Sequence, residues 1–80
     1  MRIDKYLKVS RLIKRRTVAN QACDAGRVSV NGRPVRASYE VKIDDELSIS
    51  FGGKSIKVQI TEISGHVSKD SASLMYKIIE

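Results

Sequence analysis

The sequence TVANQACDAGRVSVNG, residues 17–32, predicts a short helix that is followed directly by a strand and a tight turn. Thr17 is a suitable N-cap, because its hydroxyl can accept a hydrogen bond from a free amide of the first helical turn. Gly26 stands where a left-handed cap would end the helix, because glycine adopts positive φ without a steric penalty. Asn31-Gly32 is a strong signal for a two-residue type I′ turn, which predicts that residues 28–30 form one strand of a hairpin.

The predicted helix should bury one face. Val18, Ala22 and Ala25 recur at helical spacing and are predicted to face inward, with Ala19 and Cys23 beside them. A free thiol on this side of a helix usually behaves as a small buried hydrophobic group, so we interpret Cys23 as structural. It is the only cysteine and cannot form an internal disulfide, which agrees with a reducing compartment.

Residues 2–16 contain no proline or glycine and predict a helix, which Val9-Ser10 could divide into two shorter ones. At ~100° per residue, the apolar side chains that fall on one side are Ile3, Tyr6, Val9 and Ile13. Leu7 falls outside this apolar cluster, and a continuous basic face lies opposite it.

Asp4 has two interpretations. In the preferred one, a carboxylate in the first helical turn suits the helix dipole and pairs with Lys8, four residues further on. In the other, Asp4 orients Arg2 or Arg16 for contact with phosphate groups.

The second half of the chain predicts strands. Pro34 restricts the segment after the turn to a sheet edge, because proline cannot donate a hydrogen bond to a neighbouring strand. Gly52-Gly53 is a hairpin signal, and residues 65–73 are polar and serine-rich, which predicts a mobile loop. The predicted strands cover residues 28–30, 47–51, 55–63 and 74–79. The fold class is therefore α+β, with an N-terminal helix pair packed on a small, mostly antiparallel sheet and a C-terminal hairpin extension.

Basic residues are concentrated in the first half of the 80-residue chain, whose net charge is +6. Residues 1–36 include ten Lys or Arg and two acidic residues, whereas residues 37–80 include five lysines and seven acidic residues. Such asymmetry indicates a partner such as nucleic acid or an anionic membrane surface. Aromatic residues make up only 5% of the chain, which favours folded RNA recognised by backbone and shape over single strands stacked on aromatic rings. Duplex DNA stays an alternative.

The sequence offers no catalytic constellation, metal site or cofactor motif. His66 is the only histidine, and neither it nor Cys23 has a partner at metal-ligand spacing. The acidic residues 44–46 are interpreted as a solvated turn before a strand. No apolar run approaches the ~20 residues that span a bilayer, and the charged N-terminus lacks a signal-peptide core. We therefore expect a cytoplasmic protein that is not an enzyme.

The order of several short motifs resembles the RNA-binding module named after small-subunit ribosomal protein S-four, also called the alpha-L motif. The matching segments are RIDKYL at residues 2–7, RRT at 15–17, AGRVSVNG at 25–32 and VKIDDEL at 41–47. The resemblance implies one RNA-binding domain over residues 1–80, with an alpha-L core at 1–51 and a C-terminal β extension at 52–80. It also implies that the helical face binds structured rRNA or tRNA.

Among stand-alone members of this family, the segment LKVSRLIKRRT, residues 7–17, is most similar to those of ribosome-associated quality control, which are related to the fifteen-kilodalton heat-shock protein. The resemblance implies binding to a large ribosomal subunit obstructed by peptidyl-tRNA, with contacts to large-subunit rRNA and to that tRNA. It implies assistance to an RqcH-type tailing factor that extends the stalled chain. Away from the ribosome we expect a monomer. Alternatives are a ribosome-recycling or rRNA-assembly factor and an accessory module of an RNA-modifying system.

Arginine is the expected contact residue, because its planar fork can make paired hydrogen bonds to phosphate oxygens. Carried over by position, Arg2 and Arg16 are the first candidates for RNA contact. The full predicted set is Arg2, Lys5, Lys8, Arg11, Lys14, Arg15, Arg16, Arg27 and Arg33. This hypothesis requires that the guanidinium groups share a surface and are not neutralised by internal carboxylates.

Overall fold

An antiparallel sheet carries the helices of the described structure on one face. The computed structural model describes residues 1–65 and 70–79. Within them, the helices are α1, Ile3–Val9, α2, Arg16–Asp24, and a short 3₁₀ helix, Ala72–Met75. The strands are β1, Val28–Val30, β2, Arg33–Pro34, β3, Glu46–Phe51, β4, Lys54–Ile60, and β5, Tyr76–Ile78, in the sheet order β2-β1-β3-β4-β5. The predicted α+β class, a helix pair on an antiparallel sheet, is confirmed.

Alternate residues of the central strands form the core. The side chains that face the helices are all buried: Val28, Val30, Leu47, Ile49, Val58 and Ile60. The other face of the sheet carries paired polar residues, with Ser48 opposite Ser29 on one side and Lys57 on the other. This is the period of two that a strand imposes, and it places one apolar face under the helices.

The first helix ends at Val9, where Val9-Ser10 was predicted as a possible break, but residues 10–15 form no second helix, so the prediction of helix is wrong there. Arg11 adopts a φ of 64°, a left-handed conformation that turns the chain out of the helical path. The amide of Ile13 then donates to the Leu7 carbonyl at 3.0 Å, and the Ile13 side chain enters the core. Leu7, predicted to lie outside the apolar cluster, is fully buried, because α1 is covered by α2 as well as by the sheet.

The second helix begins without a side-chain cap. Arg15 occupies the N-cap position, so the prediction that Thr17 caps this helix is wrong. The buried residues of α2 are Ala19 and Cys23, whereas Val18 is 47% exposed. The predicted inward stripe is therefore displaced by one residue. The stripe that contains Val18 and the stripe that contains Ala19 and Cys23 are both apolar and lie ~100° apart on the helix. The sequence pattern does not distinguish them, so tertiary packing decides which stripe is buried.

The glycine and turn predictions are confirmed. Gly26 has a φ of 76° directly after the C-cap of α2, and Asn31 and Gly32 have φ values of 52° and 87°. Strands β1 and β2 pair across this turn, and β2, with Pro34, is the edge strand. These residue types were sufficient signals because few others adopt positive φ at low cost.

The acidic turn at residues 44–46 is only partly solvated. Asp45 is 6% exposed and accepts hydrogen bonds from the Tyr39 hydroxyl and the Lys42 amide, both at 2.9 Å. Asn31 Nδ2 donates to the same carboxylate at 3.2 Å. The interpretation as a solvated turn is therefore wrong for Asp45, whose carboxylate ties the β1–β2 turn to the segment before β3.

The C-terminal segment contributes to the same core as the first helix. The Tyr6 hydroxyl donates to the Met75 carbonyl at 2.7 Å, and both side chains are fully buried. Leu74 and Met75, predicted as strand, belong to the 3₁₀ helix, and β5 begins only at Tyr76. The loop predicted at residues 65–73 includes 66–69, which lie outside the described residues together with the predicted surface position of His66.

Replacing Tyr6 with phenylalanine should lower the free energy of unfolding by about 1–2 kcal/mol, because the buried Met75 carbonyl loses its donor. Urea unfolding followed by circular dichroism measures this change. Tyr76→Phe is a matched control, since the Tyr76 hydroxyl forms no hydrogen bond with any described residue. Equal losses in the two variants would contradict a stabilising role for the Tyr6 bond.

Candidate nucleic-acid interface

A buried carboxylate at the start of α1 gathers side chains from both helical segments. Asp4 is 2% exposed, and its Oδ2 accepts hydrogen bonds from Arg2 Nη2 at 3.2 Å and from Asn20 Nδ2 at 3.3 Å. Its Oδ1 accepts from Arg16 Nη2 at 3.3 Å and from the Lys5 amide at 2.8 Å. Four donors therefore satisfy one carboxylate, as a buried charge requires. We call Asp4, Arg2, Arg16 and Asn20 the Asp4 cluster.

The backbone fixes the positions from which these side chains extend. Arg16 and Asn20 are four residues apart on α2 and therefore share a helix face. Arg2 directly precedes α1 and forms an antiparallel bridge with Glu40. The Glu40 carboxylate in turn pairs with the Met1 ammonium at 2.9 Å. The chain terminus is thus held where Arg2 can reach a carboxylate on the following helix.

The Asp4 carboxylate stays ionised at neutral pH. Burial raises the pKa of Asp4, but the hydrogen bonds from Asn20, Arg16 and the Lys5 amide, with the charge of Arg16, outweigh burial and hold the pKa below its ordinary value. One negative charge then faces two guanidinium groups, which leaves a net positive charge. The side chains of Arg2 and Arg16 remain 46% and 47% exposed. Asp4 therefore orients both arginines without neutralising both.

The structure supports the second interpretation of Asp4. Within the described residues, Asp4 forms ion pairs with Arg2 and Arg16 and not with Lys8, so the preferred pairing with Lys8 is wrong. Each arginine uses one Nη2 atom toward Asp4, and a guanidinium carries five N–H donors in a rigid fork. Several donors of each fork therefore stay available to an acceptor outside the protein.

The other predicted contact residues are exposed, and no ion pair in the described structure joins them to Asp4. These residues are Lys5, Lys8, Arg11, Lys14, Arg15, Arg27 and Arg33. Lys5 Nζ lies 3.9 Å from the point that a Cβ at Gly65 would occupy, so its ammonium lies close to the segment after β4. Arg27 directly precedes β1, whereas Arg33 lies on β2, paired with Val30 at the other end of β1. The structure thus brings Arg2 and Arg16 together and distributes the remaining cations along α1, the interhelical segment and the first hairpin.

Sequence patterns gave no role to Asn20 or Gln21. With Asp4, Arg16 and Thr17, they line a cleft of about 370 Å³ beside the paired arginines. The available signal was the spacing of residues 16 and 20, which puts an amide one helical turn from an arginine. That signal is weak, because nothing in the sequence places a carboxylate from α1 opposite the same face of α2.

The Cys23 thiol does not add a reactive group to the Asp4 cluster. Burial raises the pKa of the Cys23 thiol to about 11, with smaller contributions from the negative charges of Asp4 and Asp24, so the thiol is protonated at neutral pH. Cys23 is 3% exposed, which confirms its interpretation as a buried structural side chain. Over residues 1–65 and 70–79, no group of side chains has the composition of a metal site, and no helix has the length and apolar character needed to cross a membrane.

The segment that contains the Asp4 cluster matches a known family. A family model described as S4 domain matches residues 1–47, more than half of the chain. The chain belongs to the S4 domain family. It is 50% identical over 80 residues to the RQC P-site tRNA stabilizing factor of Bacillus subtilis strain 168, and the match covers 100% of this chain and 93% of that protein. The family resemblance inferred from the short motifs is therefore confirmed, as is the prediction that the chain is not an enzyme, because this S4 domain family is non-catalytic.

Solved structures agree with the S4 domain assignment. The trimeric structure of Vibrio cholerae Heat Shock Protein 15 aligns with a TM-score of 0.90 at 26% identity, over 98% of this chain and 80% of that chain. The solution structure of the hypothetical protein HP1423 aligns with a TM-score of 0.84 at 33% identity, over 100% of this chain and 98% of that chain. Both alignments extend well past residue 47, so the C-terminal strands are part of the shared fold.

Proposed function

We propose that this S4 domain protein binds RNA on large ribosomal subunits that are obstructed by peptidyl-tRNA. It contacts large-subunit rRNA and the peptidyl-tRNA, and by holding that tRNA it assists an RqcH-type factor in C-terminal tailing of the stalled chain. The name of the full-length relative, RQC P-site tRNA stabilizing factor, supports this assignment. The structural observation that carries it is the pair of half-exposed arginines that Asp4 holds within the S4 domain.

The proposed mechanism is electrostatic and geometric. Arg2 and Arg16 donate to phosphate oxygens at a spacing that their shared carboxylate sets. The other exposed cations of the predicted set neutralise neighbouring phosphates and release counterions. Phosphate contacts of this kind fix orientation but carry no base sequence, so the accepted RNA is selected by the shape that the two helices fit.

We further propose that residues 1–80 act as one RNA-binding domain, with the core at 1–51 and the extension at 52–80, and that this domain works as a monomer in the cytoplasm. The bond between Tyr6 and Met75 and the shared hydrophobic core support joint folding of the two parts. Because the Vibrio cholerae relative was solved as a trimer, light scattering of the free protein is the direct test of the monomer. A stable trimer at micromolar concentration would overturn that part of the proposal.

Affinity for the ribosomal complex should fall steeply with salt. If about five phosphates are contacted, raising the salt concentration from 50 to 200 mM should weaken binding by about 10²–10³-fold, because each contact releases close to one counterion. Co-sedimentation at a series of potassium chloride concentrations gives the slope. A flat response would contradict phosphate contact by the basic surface.

The decisive experiment compares purified large subunits with and without peptidyl-tRNA. The proposed function predicts stronger co-sedimentation of the protein with the obstructed subunits, and recovery of tailing activity when the protein is added to subunits and an RqcH-type factor. Equal binding to empty subunits would instead favour a general recycling or rRNA-assembly factor. Competition by duplex DNA as effective as that by RNA would favour non-specific DNA binding.

A further inference from the structure

We propose that the cleft that the Asp4 cluster forms with Thr17 and Gln21 receives one unpaired RNA base, so that this S4 domain prefers a helix with an extruded nucleotide over a uniform duplex. This inference rests on the proposed RNA binding and adds the chemical class of the ligand that the cleft accepts. The cleft of about 370 Å³ is lined by Asp4, Arg16, Thr17, Asn20 and Gln21. The cleft is shallow and open to solvent, and its volume exceeds the lower limit of about 300 Å³ for small-molecule sites.

The orientation of the Asn20 amide decides which groups the cleft offers. The ionised Asp4 carboxylate can only accept hydrogen bonds, so the Asn20 atom that faces it at 3.3 Å must be the nitrogen. The Asn20 oxygen therefore occupies the other branch of the amide and is an acceptor. Thr17 and Gln21 are exposed on the same helix and add a hydroxyl and a second amide. The lining thus combines acceptors with donors, which is the pattern that the edge of a nucleobase presents.

Arg16 supplies the stacking surface. Its side chain is 47% exposed, and one end of its guanidinium is anchored by the bond from Nη2 to Asp4 Oδ1. A guanidinium so fixed can stack on the face of a base, a common mode of RNA recognition. A phosphate group fits the interior of the cleft less well, because Asp4, which carries a negative charge, and Asn20, whose amide has an acceptor oxygen, both line it. Phosphates therefore bind the outward N–H groups of Arg2 and Arg16, while a neutral base enters between α1 and α2.

The ligand is an unpaired base for a geometric reason. A base within a duplex is stacked on both sides and has its pairing edge occupied, so only an extruded nucleotide presents a free edge to a concave site. The Asn20 acceptor favours a base with an exocyclic amino group, which is adenine, cytosine or guanine. Uracil carries no amino group, and its single donor, N3–H, lies between two carbonyl oxygens that would approach the acceptors of the cleft, so uracil should bind more weakly.

The test uses one RNA hairpin in four forms that differ at a single position: fully paired, with a bulged adenine, with a bulged uracil, and with a bulged abasic sugar. Affinity is measured by fluorescence anisotropy for the wild type and for Gln21→Ala, with Arg36→Ala as a control at an exposed arginine outside the cleft. We expect the wild type to bind the adenine bulge at least about fivefold more tightly than the paired and abasic forms, the lower limit for stacking of one base. Gln21→Ala should reduce this preference, and Arg36→Ala should retain it.

The outcomes separate this inference from the proposed function. Equal, salt-sensitive binding of all four hairpins would overturn the base-binding cleft while leaving RNA binding by the Asp4 cluster intact. An abasic bulge bound as tightly as the adenine bulge would also overturn it, because the protein would then be reading a bent backbone. A wild-type protein that binds none of the four hairpins and no ribosomal complex would contradict the proposed function itself.

Discussion

Replacing both Arg2 and Arg16 with alanine is expected to weaken binding to obstructed large subunits by about 10²–10⁴-fold. Each hydrogen bond between a guanidinium and a phosphate contributes about 1.5–3 kcal/mol, and the loss of two such contacts gives this range. The effect should be large because these arginines are the two whose positions Asp4 fixes, so little ordering of their side chains is needed on binding. Quantitative co-sedimentation with purified subunits measures the loss.

The double alanine variant should also unfold more easily, because the buried Asp4 carboxylate loses two of its four donors. A loss of about 1–3 kcal/mol is expected, and binding must be compared at a temperature where the variant is folded. The double lysine variant separates the two effects, since lysine preserves a positive charge beside Asp4 but not the planar fork. Arg36→Ala removes one exposed arginine outside the Asp4 cluster and shows how much binding is lost when a single cation is removed from another position. Binding of the folded double alanine variant as tight as that of Arg36→Ala would exclude Arg2 and Arg16 as contacts.

Features governed by local backbone chemistry could be predicted from the sequence. Gly26 and Asn31-Gly32 adopt the positive φ values that their residue types indicate, and strands pair across both predicted hairpin turns, Asn31-Gly32 and Gly52-Gly53. These predictions succeeded because each depends on only a few consecutive residues. The family resemblance succeeded for a related reason: several such local signals occur in one order.

Features decided by packing could not be predicted in this way. Arg11 takes a left-handed conformation that its residue type does not favour, because the chain must return Ile13 to the core. The choice between two adjacent apolar stripes on α2 was decided by the sheet and α1, and not by the composition of either stripe. Tyr6 and Met75 meet across 69 positions of sequence, a separation at which no periodic pattern gives information.

The candidate site also has some features that the local sequence indicates and others that only tertiary packing sets. Composition showed which half of the chain is basic, and guanidinium chemistry makes arginine the expected contact residue, whereas the ion pairs of Asp4 depend on the contact between two helices. Asn20 lies 16 residues from Asp4, and its amide reaches that carboxylate only when α2 packs on α1. Charge can be read from a sequence, but the partner that orients a charge belongs to the tertiary structure.

Asp4→Asn distinguishes a positioned pair of arginines from a merely positive surface. The substitution raises the net charge above +6, so simple electrostatic attraction predicts tighter RNA binding. Positioning predicts the opposite: without the negative charge, Arg2 and Arg16 repel each other, and only one of the two oxygens to which they donate remains an acceptor. Affinity should then fall about tenfold, because the two side chains must be ordered on binding. The free energy of unfolding should fall by about 2 kcal/mol at neutral pH, because a buried acceptor of four hydrogen bonds is replaced by an amide whose NH₂ group faces donors. Urea unfolding and co-sedimentation measure the two quantities.

The prediction for Asp4→Asn can be tested further by the pH dependence of its stability and by comparison with Asp24→Asn. Since the pKa of Asp4 is lowered in the folded protein, its stabilising contribution is complete above the unfolded value of about 3.9 and is lost as the pH falls through the lower folded value. The stability difference between wild type and Asp4→Asn should therefore be constant from about pH 5 to 8 and shrink below about pH 4. Asp24→Asn makes the same charge change at an exposed position of α2 and should leave RNA binding unchanged or slightly tighter. If Asp4→Asn binds as tightly as Asp24→Asn, the carboxylate does not position the arginines, and the basic surface acts through charge alone.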